Sequence, residues 1–305
     1  MRSSRRKFIR QTSAALAASA LLSNRIFAGE KPSGHILGIQ LYSVRDDMKA
    51  DPSGTLKKIS AMGYRYVEHA NYKDRKFYGY SAADFKKFLA DLDIRMYSGH
   101  TELKLEYWDD SKNDFTDVWK YTVEDAVTAG QQYVISPSLS EKVRTDKELL
   151  KKFMDVFNRS GELCKKNSVK FGYHNHNFEF TTKINDQLLF DYILANTDRS
   201  LVAQQIDIGN MYEVGGRAIE IMKQNPGRFE LMHVKDEIAT EKGEMNGKYE
   251  STVLGKGVLN VKEIVDYGLK NGGTKHFIIE QESYQGKTPL ECVKEDLDVM
   301  KSWGY

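Results

Sequence analysis

The sequence predicts a parallel α/β barrel, and three observations support this fold class. Apolar runs of strand length alternate with amphipathic segments of roughly 10–20 residues, an order that is typical of parallel sheets. Eight such strand–helix units precede a C-terminal helix predicted over residues 289–303. The sequence carries no glycine-rich phosphate loop after the first strand, and that loop is usual in the competing open, doubly wound sheet.

The first four units follow one another along residues 36–166. Strands are predicted at residues 36–42, 64–68, 94–100 and 133–136. Helices are predicted at residues 55–62, 81–91, 114–129 and 145–166. Gly63 and Gly130 stand where two of these helices end, and Ser81 stands where another begins. Glycine after a helix and serine before one are common boundary residues, so they support these limits.

The last four strands are predicted at residues 169–176, 201–207, 229–233 and 276–280. A polar stretch over residues 237–256 follows the seventh strand and is predicted to be a long loop. Two interpretations of it stay open, a lid over an active site and a floppy insertion. The chain has no proline-rich linker after its first 30 residues, so we expect a single TIM-barrel catalytic domain over residues 31–305.

The first 30 residues are predicted to be an export signal. Arg5 and Arg6 precede the short apolar stretch 14–22, and this order is typical of a secretory signal peptide. The paired arginines with Phe8 resemble a twin-arginine signal, which predicts a periplasmic protein. The apolar stretch is too short to span a bilayer, so no permanent membrane span is expected.

Charge and cysteine content limit the functional classes. The 305 residues include 45 basic and 43 acidic side chains, a net charge of +2. This balance gives no reason to expect a nucleic-acid partner, which needs a concentrated basic face. Cys164 and Cys292 fall in predicted helices without metal-type spacing, and we expect buried thiols. The sequence leaves open whether the chain forms a homo-oligomer.

Potential metal ligands and proton carriers stand at the ends of the last four strands. In order, they are His174, His176 and Glu179; Asp207; His233 and Lys235; and Glu280 and Glu282. Because parallel strands in a barrel end at one face, these side chains are expected to meet there. Carboxylates and imidazoles without a thiolate suit one divalent ion, Mn²⁺, Mg²⁺, Co²⁺ or Zn²⁺. Such an ion can polarise a carbonyl and stabilise an enediolate.

The pattern resembles the sugar phosphate isomerase/epimerase family, also called xylose isomerase-like barrels. The resemblance rests on five segments: Gly-Ile-Gln-Leu-Tyr-Ser-Val-Arg at 38–45, Gly-Tyr-Arg-Tyr-Val-Glu at 63–68, Tyr-His-Asn-His at 173–176, Asp-Ile-Gly-Asn at 207–210 and His-Val-Lys-Asp at 233–236. The family binds one divalent metal through Glu, Asp, His and Glu at strand ends five to eight. Asp207, His233 and Glu280 match the last three ligands.

The first ligand departs from the family pattern. Many relatives have Glu-Asn-His where this chain has His174-Asn175-His176. Glu179 is the nearest carboxylate and the favoured ligand, with His174 as its rival and as the candidate base. His176 and Lys235 are expected to orient substrate oxygens and stabilise their charge, and Glu282 to bind hydroxyls or move protons. The pocket-lining candidates at earlier strand ends are Tyr42, Arg45, Glu68 and His100.

The resemblance implies a divalent-metal-dependent isomerase or epimerase that acts on a keto-sugar or sugar derivative. The histidine-rich fifth strand also resembles inosose dehydratases, so a metal-dependent lyase or dehydratase of the 3-keto-glycoside or inosose type is the first alternative. A non-catalytic sugar-binding barrel is the second. A DNA repair endonuclease of related fold disagrees with the balanced charge and the export signal. Export favours a free sugar or glycoside as the small-molecule substrate.

Overall fold

The computed structural model describes residues 35–305, and eight parallel strands within them close into a barrel. The strands are β1 (Ile36–Gln40), β2 (Tyr66–His69), β3 (Arg95–His100), β4 (Tyr133–Ser136), β5 (Lys170–His174), β6 (Val202–Asp207), β7 (Phe229–Val234) and β8 (His276–Ile279). Each strand pairs in parallel with its sequence neighbour, and β8 pairs with β1. The predicted barrel is therefore confirmed.

Helices surround the barrel, and the predicted boundary residues Gly63 and Ser81 lie at helix ends. They are α1 (Arg45–Ala50), α2 (Pro52–Met62), α3 (Ala82–Asp91), α4 (Asp117–Ala129), α5 (Glu141–Thr145), α6 (Lys147–Lys166), α7 (Leu189–Asn196), α8 (Ile208–Tyr212), α9 (Ala218–Gln224), α10 (Val261–Tyr267) and α11 (Pro289–Ser302). Ser81 Oγ accepts the Asp84 N–H at 3.2 Å before α3. Gly63 follows α2 with φ +104°, a left-handed backbone that favours glycine.

Alternation along the strands separates two layers of side chains. Residues that point outward from the barrel, such as Phe171 on β5 and Phe277 on β8, belong to two large apolar clusters that also contain helix residues. A small third cluster lines the floor of the barrel: Tyr133, Ile135, Ala203, Leu231 and Ile278. Farther along the same strands, inward positions become polar. Asp207 follows Ala203 by four residues, and His233 follows Leu231 by two, so the apolar floor supports a polar upper layer.

The polar stretch after β7 contains regular structure that the sequence did not predict. Asp236–Ala239 pairs antiparallel with Tyr249–Thr252, so the predicted loop begins as a hairpin. We call residues 236–252 the β7 hairpin. Its connecting segment brings Met245, with φ +51°, to the wall of a cavity of about 980 Å³. The floppy-insertion interpretation does not fit a paired hairpin, whereas a covering role remains compatible with it.

Two further predictions concern the thiols and the amino terminus. Cys164 and Cys292 are both free and buried, as the sequence predicted. Within residues 35–305, no helix combines the length and the apolar character needed to cross a membrane. The predicted export signal lies outside the described residues.

Candidate active site

Three of the predicted metal ligands meet at the carboxyl ends of β6, β7 and β8. Asp207 and His233 are paired across the two strands, and Glu280 follows the last residue of β8. His233 Nδ1 lies 3.0 Å from Glu280 Oε2 and 3.7 Å from Asp207 Oδ2. One ligand atom from each residue falls within 4.8 Å of the others. We call these three residues the acidic–histidine centre.

Asp207 shows that this centre fits a cation. Its Oδ1 accepts the backbone N–H groups of Gly209 and Asn210, at 2.9 and 2.7 Å, and so caps α8. Its Oδ2 is buried and accepts no hydrogen bond from the described part of the chain, and its cationic neighbours Lys235 Nζ and His233 Nδ1 both lie 3.7 Å away. A buried carboxylate oxygen without a partner is costly unless a cation stands beside it. Two carboxylates and one imidazole form a donor set that divalent ions accept.

Glu68 holds the imidazole of His233 from behind. His233 Nε2 lies 2.6 Å from Glu68 Oε1, which leaves Nδ1 to face the centre. Gln40 Nε2 donates to the same Oε1 at 2.8 Å, and Gln205 Nε2 donates to Oε2 at 2.9 Å. Histidines that bind metals commonly use their second nitrogen on a carboxylate in this way. Glu68 therefore fixes the orientation of His233.

The charges of these buried groups favour one another. Burial opposes protonation of His233, but the carboxylates of Glu280 and Glu68 outweigh it and raise its pKa well above the usual value. Burial likewise opposes ionisation of Glu68, but His100 and His233 outweigh it and hold its pKa well below the usual value. Opposite charges within this buried group therefore stabilise one another.

Glu179 is the predicted ligand that the structure leaves outside this group. It lies in the short helical turn Phe178–Phe180 after β5, and its side chain is buried. Its carboxylate accepts hydrogen bonds from the Tyr173 hydroxyl and, at 2.9 Å, from the His176 backbone N–H. Tyr173 belongs to the apolar layer outside the barrel, so Glu179 turns toward that layer. The structure therefore gives Glu179 a local stabilising contact in place of the predicted contact with the other ligands.

His174, the rival to Glu179, lies inside the barrel with a defined tautomer. Because Glu68 can only accept, the Gln205 amide must donate to it, and Gln205 Oε1 is left as an acceptor. That oxygen lies 2.7 Å from His100 Nε2 and 3.1 Å from His174 Nδ1. This network assigns the proton of a neutral His174 ring to Nδ1. The lone pair of the ring is then on Nε2.

The surroundings of His174 keep its ring neutral. Burial, followed by the neighbouring imidazoles of His233 and His100, lowers its pKa well below the usual value. Its ring centre lies 4.6 Å from that of His233 and 4.8 Å from that of His100. Ligand atoms of these three histidines also lie within 4.8 Å of one another. His174 is thus close enough to the centre to act with it.

Lys235 is a buried cation beside the carboxylates. Its Nζ lies 2.6 Å from Glu282 Oε1, 3.2 Å from Glu280 Oε2 and 3.7 Å from Asp207 Oδ2. It also donates to Asn210 Oδ1 at 3.2 Å. Burial opposes its charge, but the three carboxylates outweigh it and raise its pKa well above the usual value. Lys235 is therefore charged and fixed in position.

His176 and Glu282 complete the predicted set. β5 ends at His174, so the two histidines are not consecutive inward positions of one strand, yet their ring centres lie 5.0 Å apart. Burial lowers the pKa of His176 to about 4, and its buried Nδ1 receives no hydrogen bond from residues 35–305. Burial, with Glu280 nearby, raises the pKa of Glu282 despite its contact with Lys235.

A cavity of about 980 Å³ opens above these residues. His174, His176, Glu280 and Glu282 form part of its wall. Of the four pocket-lining candidates at earlier strand ends, Tyr42 and His100 also line it. Glu68 lies beneath it, and Arg45 is held at the rim by the Glu282 backbone carbonyl, to which its Nη2 donates at 3.1 Å.

Sequence reasoning missed the two glutamines of this network. Gln40 on β1 and Gln205 on β6 are buried polar residues. Gln205 precedes Asp207 by two positions, so strand alternation alone places both on the inward face. The inward position of Gln205 could therefore have been predicted from the sequence. The contact between Gln40 and Glu68 could not, because it depends on pairing between β1 and β2.

Comparisons with known proteins agree with this architecture. A family model described as xylose isomerase-like TIM barrel matches residues 56–303. The chain is similar to an inosose dehydratase from Lactiplantibacillus plantarum, with 28% identity over 187 residues that cover 55% of this chain and 61% of that protein. An inosose dehydratase from Bacillus licheniformis is 27% identical over 148 residues, which cover 45% and 48% of the two chains. The chain thus matches less than two thirds of the length of either relative.

Two solved structures share the fold. A sugar phosphate isomerase/epimerase from Parabacteroides distasonis superposes with a TM-score of 0.71 at 24% identity, over 88% of this chain and 98% of that one. A protein called IOLI, solved with a bound zinc atom, superposes with a TM-score of 0.66 at 17% identity, over 88% and 97%. At these identities the likeness concerns the fold.

Proposed function

Because the chain belongs to the xylose isomerase-like TIM barrel family, we propose that it is a divalent-metal-dependent enzyme acting on a keto-sugar or a related polyol. One observation carries this proposal. Asp207, His233 and Glu280 bring three ligand atoms together beneath a cavity, and the buried Asp207 Oδ2 accepts no hydrogen bond from the described residues. The zinc atom in the IOLI structure supports a metal of this kind.

The ligands in this proposal are Asp207, His233 and Glu280, with His174 beside them. Mn²⁺, Mg²⁺, Co²⁺ and Zn²⁺ remain the candidates, since the donors suit each of them. A bound ion would polarise the substrate carbonyl and make an adjacent C–H group more acidic. Glu179 is not placed as the fourth ligand, because it bonds to Tyr173 and the His176 backbone, and His174 keeps the role of the base.

The protein's own groups supply the proton transfers and the charge. His174 lines the cavity, and Nε2 of its ring carries the lone pair that can accept a proton next to the carbonyl. The Lys235 ammonium group lies fixed among the carboxylates and stabilises negative charge that develops on substrate oxygens. His176 and Glu282 line the same cavity and are placed to bind hydroxyl groups or to donate a proton to a departing oxygen.

We favour elimination as the reaction that follows proton removal. The C–H proton passes to His174, and the electron pair of the C–H bond forms a C=C bond as the C–O bond on the next carbon breaks. The departing oxygen takes a proton from His176 or Glu282 and leaves as water or an alcohol. The similarity to inosose dehydratases supports this choice, as does the imidazole of His174 where many relatives have a carboxylate. Isomerisation or epimerisation is the second candidate, supported by the shared fold with the sugar phosphate isomerase/epimerase.

The reaction is tested in D₂O with an inosose and a 3-keto-glycoside as substrates, before and after chelation and re-addition of each metal. A released aglycone or a dehydrated product supports elimination, and an intact epimer that carries deuterium supports epimerisation. No conversion of either substrate with any of the four metals would contradict both reactions. Non-catalytic sugar binding would then become the better explanation.

The metal centre is tested separately by Asp207→Asn. The amide keeps an oxygen that can cap α8, but it removes the charge that faces His233 and Glu280. We expect metal content to fall from near one equivalent to about a tenth or less, measured by mass spectrometry of the purified protein. Asp91→Asn, at an exposed position that ends α3, is the matched control and should retain the metal. Equal metal content in both variants would contradict the assignment.

We also propose export to the periplasm, in agreement with the paired Arg5 and Arg6. The substrate would then be a free sugar or glycoside and not a cytoplasmic phosphate ester. Replacing both arginines by lysine should leave the protein in the cytoplasm, as measured by cell fractionation. Unchanged periplasmic recovery would contradict twin-arginine export.

A further inference from the structure

The cavity extends well beyond the catalytic candidates. Its volume of about 980 Å³ lies at the upper end of the range for pockets that bury a drug-sized ligand. Much of its wall comes from residues in segments 70–75, 101–107 and 118–122. We call this part the distal arm. A single sugar ring at the acidic–histidine centre would leave the distal arm unfilled.

The distal arm presents apolar and aromatic surface to the cavity. Tyr72, Tyr107 and Tyr121 all line it. Tyr121 is 44% exposed and Val118 is 54% exposed, although both belong to the cavity wall. Aromatic rings bury large apolar area on a ligand while their hydroxyl groups remain able to bond. Such a wall fits the C–H face of a second ring.

A nearly buried carboxylate fixes the wall of the distal arm. Asp125 on α4 accepts a hydrogen bond from the Tyr72 hydroxyl at 2.6 Å. It also accepts two from Arg75, from Nε at 2.9 Å and from Nη2 at 2.6 Å. The same guanidinium lies over the Tyr121 ring, 4.2 Å from its centre. The bidentate pair and the stacked ring hold the two sides of the arm together.

The backbone at Arg75 is unusual for its residue type. Asp74 and Arg75 form the turn between the short strands Tyr72–Lys73 and Lys76–Phe77, and their φ angles are +51° and +61°. A left-handed backbone costs a residue with a side chain about 1 kcal/mol, so glycine is common at such positions. Here the arginine side chain makes the contacts to Asp125 and Tyr121 that build the wall.

The charges of the distal arm balance. Lys73 and Lys104 line it together with Asp74 and Glu102, and the guanidinium of Arg75 is neutralised by Asp125. An anionic group would meet no excess of positive charge here. A neutral polyhydroxylated ring, by contrast, finds both donors and acceptors around an aromatic wall.

We propose that the distal arm binds the second ring of a glycoside, so that the substrate is a two-ring keto-glycoside and not a single-ring polyol. This inference rests on the proposed function for the identity of the reacting ring. The first ring lies at the acidic–histidine centre, and the ring beyond the glycosidic oxygen packs on Tyr121. Elimination would then release that second ring as the alcohol.

The test measures binding without turnover, by calorimetry with methyl β-glucoside as the one-ring probe and cellobiose, lactose and trehalose as two-ring probes. At least one two-ring probe should bind the unmodified protein about 10-fold more tightly than the one-ring probe. Tyr121→Ala should remove that gain, and Tyr121→Phe should retain it. Val127→Ala is the control, because Val127 is exposed on the same helix and is not part of the cavity wall.

Two outcomes would overturn the proposal: equal affinity for one-ring and two-ring probes, or a gain that survives in Tyr121→Ala. Turnover of 3-keto derivatives of the same sugars is measured in parallel. If no 3-keto derivative is converted, the proposed reaction fails while the binding data still decide the subsite. If the one-ring 3-keto derivative is converted as efficiently as the two-ring compounds, the reaction stands and the subsite fails.

Discussion

At the scale of single residues, Glu68 organises the centre without belonging to it. The carboxylate is fully buried and joins His233, Gln40 and Gln205 by hydrogen bonds. Through Gln205 it also determines which nitrogen of His174 carries a proton. One carboxylate therefore fixes both the candidate ligand and the candidate base, and its replacement should affect the two together.

Glu68→Gln tests this role. The amide keeps the shape of the side chain but removes the negative charge behind His233 and adds a donor where Gln205 also donates. We expect metal affinity to fall about 10–100-fold. This is the usual effect of replacing a residue that accepts a hydrogen bond from the second ring nitrogen of a metal-binding histidine. Competition with a chromophoric chelator measures it, with Glu241→Gln at an exposed position as the control. Affinity equal to that of the control, in a variant with unchanged thermal stability, would contradict the role.

At the scale of structural elements, the β7 hairpin depends on one side chain at its base. Asp236 accepts backbone N–H groups from four residues: Glu237 at 2.9 Å, Gly255 at 2.9 Å, Gly257 at 3.0 Å and Leu259 at 3.1 Å. These bonds connect the start of the hairpin to the chain that follows it. Because Met245 of the same hairpin lines the cavity, Asp236 also helps to shape the cavity.

Asp236→Ala should therefore destabilise the fold strongly. Four buried or partly buried N–H groups lose their acceptor, and each unsatisfied buried donor is costly. We expect a loss of about 3 kcal/mol or more in the free energy of unfolding, measured by urea denaturation. Asp236→Asn should lose less, because one amide oxygen can still accept. Asp298→Ala, at an exposed position paired with Lys294, is the control; an equal loss there would contradict the prediction.

At the scale of the whole molecule, the sequence predicted what depends on alternation and strand order. Eight strand–helix units implied a closed barrel. Closure brings Asp207, His233 and Glu280 together, and this proximity does not depend on the conformation of the loops. Glu179 lies apart from the other predicted ligands because it follows the end of its strand, where alternation no longer applies and a short turn sets the direction of its side chain. The network around Glu68 depends on contacts between residues as far apart as 165 positions, which local patterns do not encode.

The folded molecule also buries carboxyl groups whose pKa values are raised, and three of them have large shifts. Burial raises the pKa of Glu179 to about 7, that of Glu237 to about 9 and that of Asp296 to about 8. Such a group binds its proton more tightly when folded than when unfolded. Its contribution to stability is complete below the unfolded pKa, roughly 4, and is lost as the pH rises through the folded pKa. Stability should therefore decrease from weakly acidic toward alkaline pH.

Asp296 isolates one part of this pH dependence. It lies on α11, where Oδ1 accepts the Leu254 N–H at 2.9 Å and the buried Oδ2 receives no hydrogen bond from residues 35–305. Asp296→Asn keeps the acceptor and cannot ionise, so the variant should gain stability relative to the unmodified protein as the pH rises. The gain can approach about 1.4 kcal/mol per pH unit between the unfolded and folded pKa values.

Melting temperatures of the two proteins at pH 6 and pH 9 measure that gain. The difference in melting temperature should favour Asp296→Asn more at pH 9 than at pH 6. At pH 9 the buried Asp296 carboxylate is ionised, and no cation of the described residues lies within hydrogen-bonding distance of it. Asp298→Asn, two positions along the same helix and exposed, should show the pH dependence of the unmodified protein. If the two variants follow the same pH profile, ionisation of Asp296 does not contribute to alkaline destabilisation.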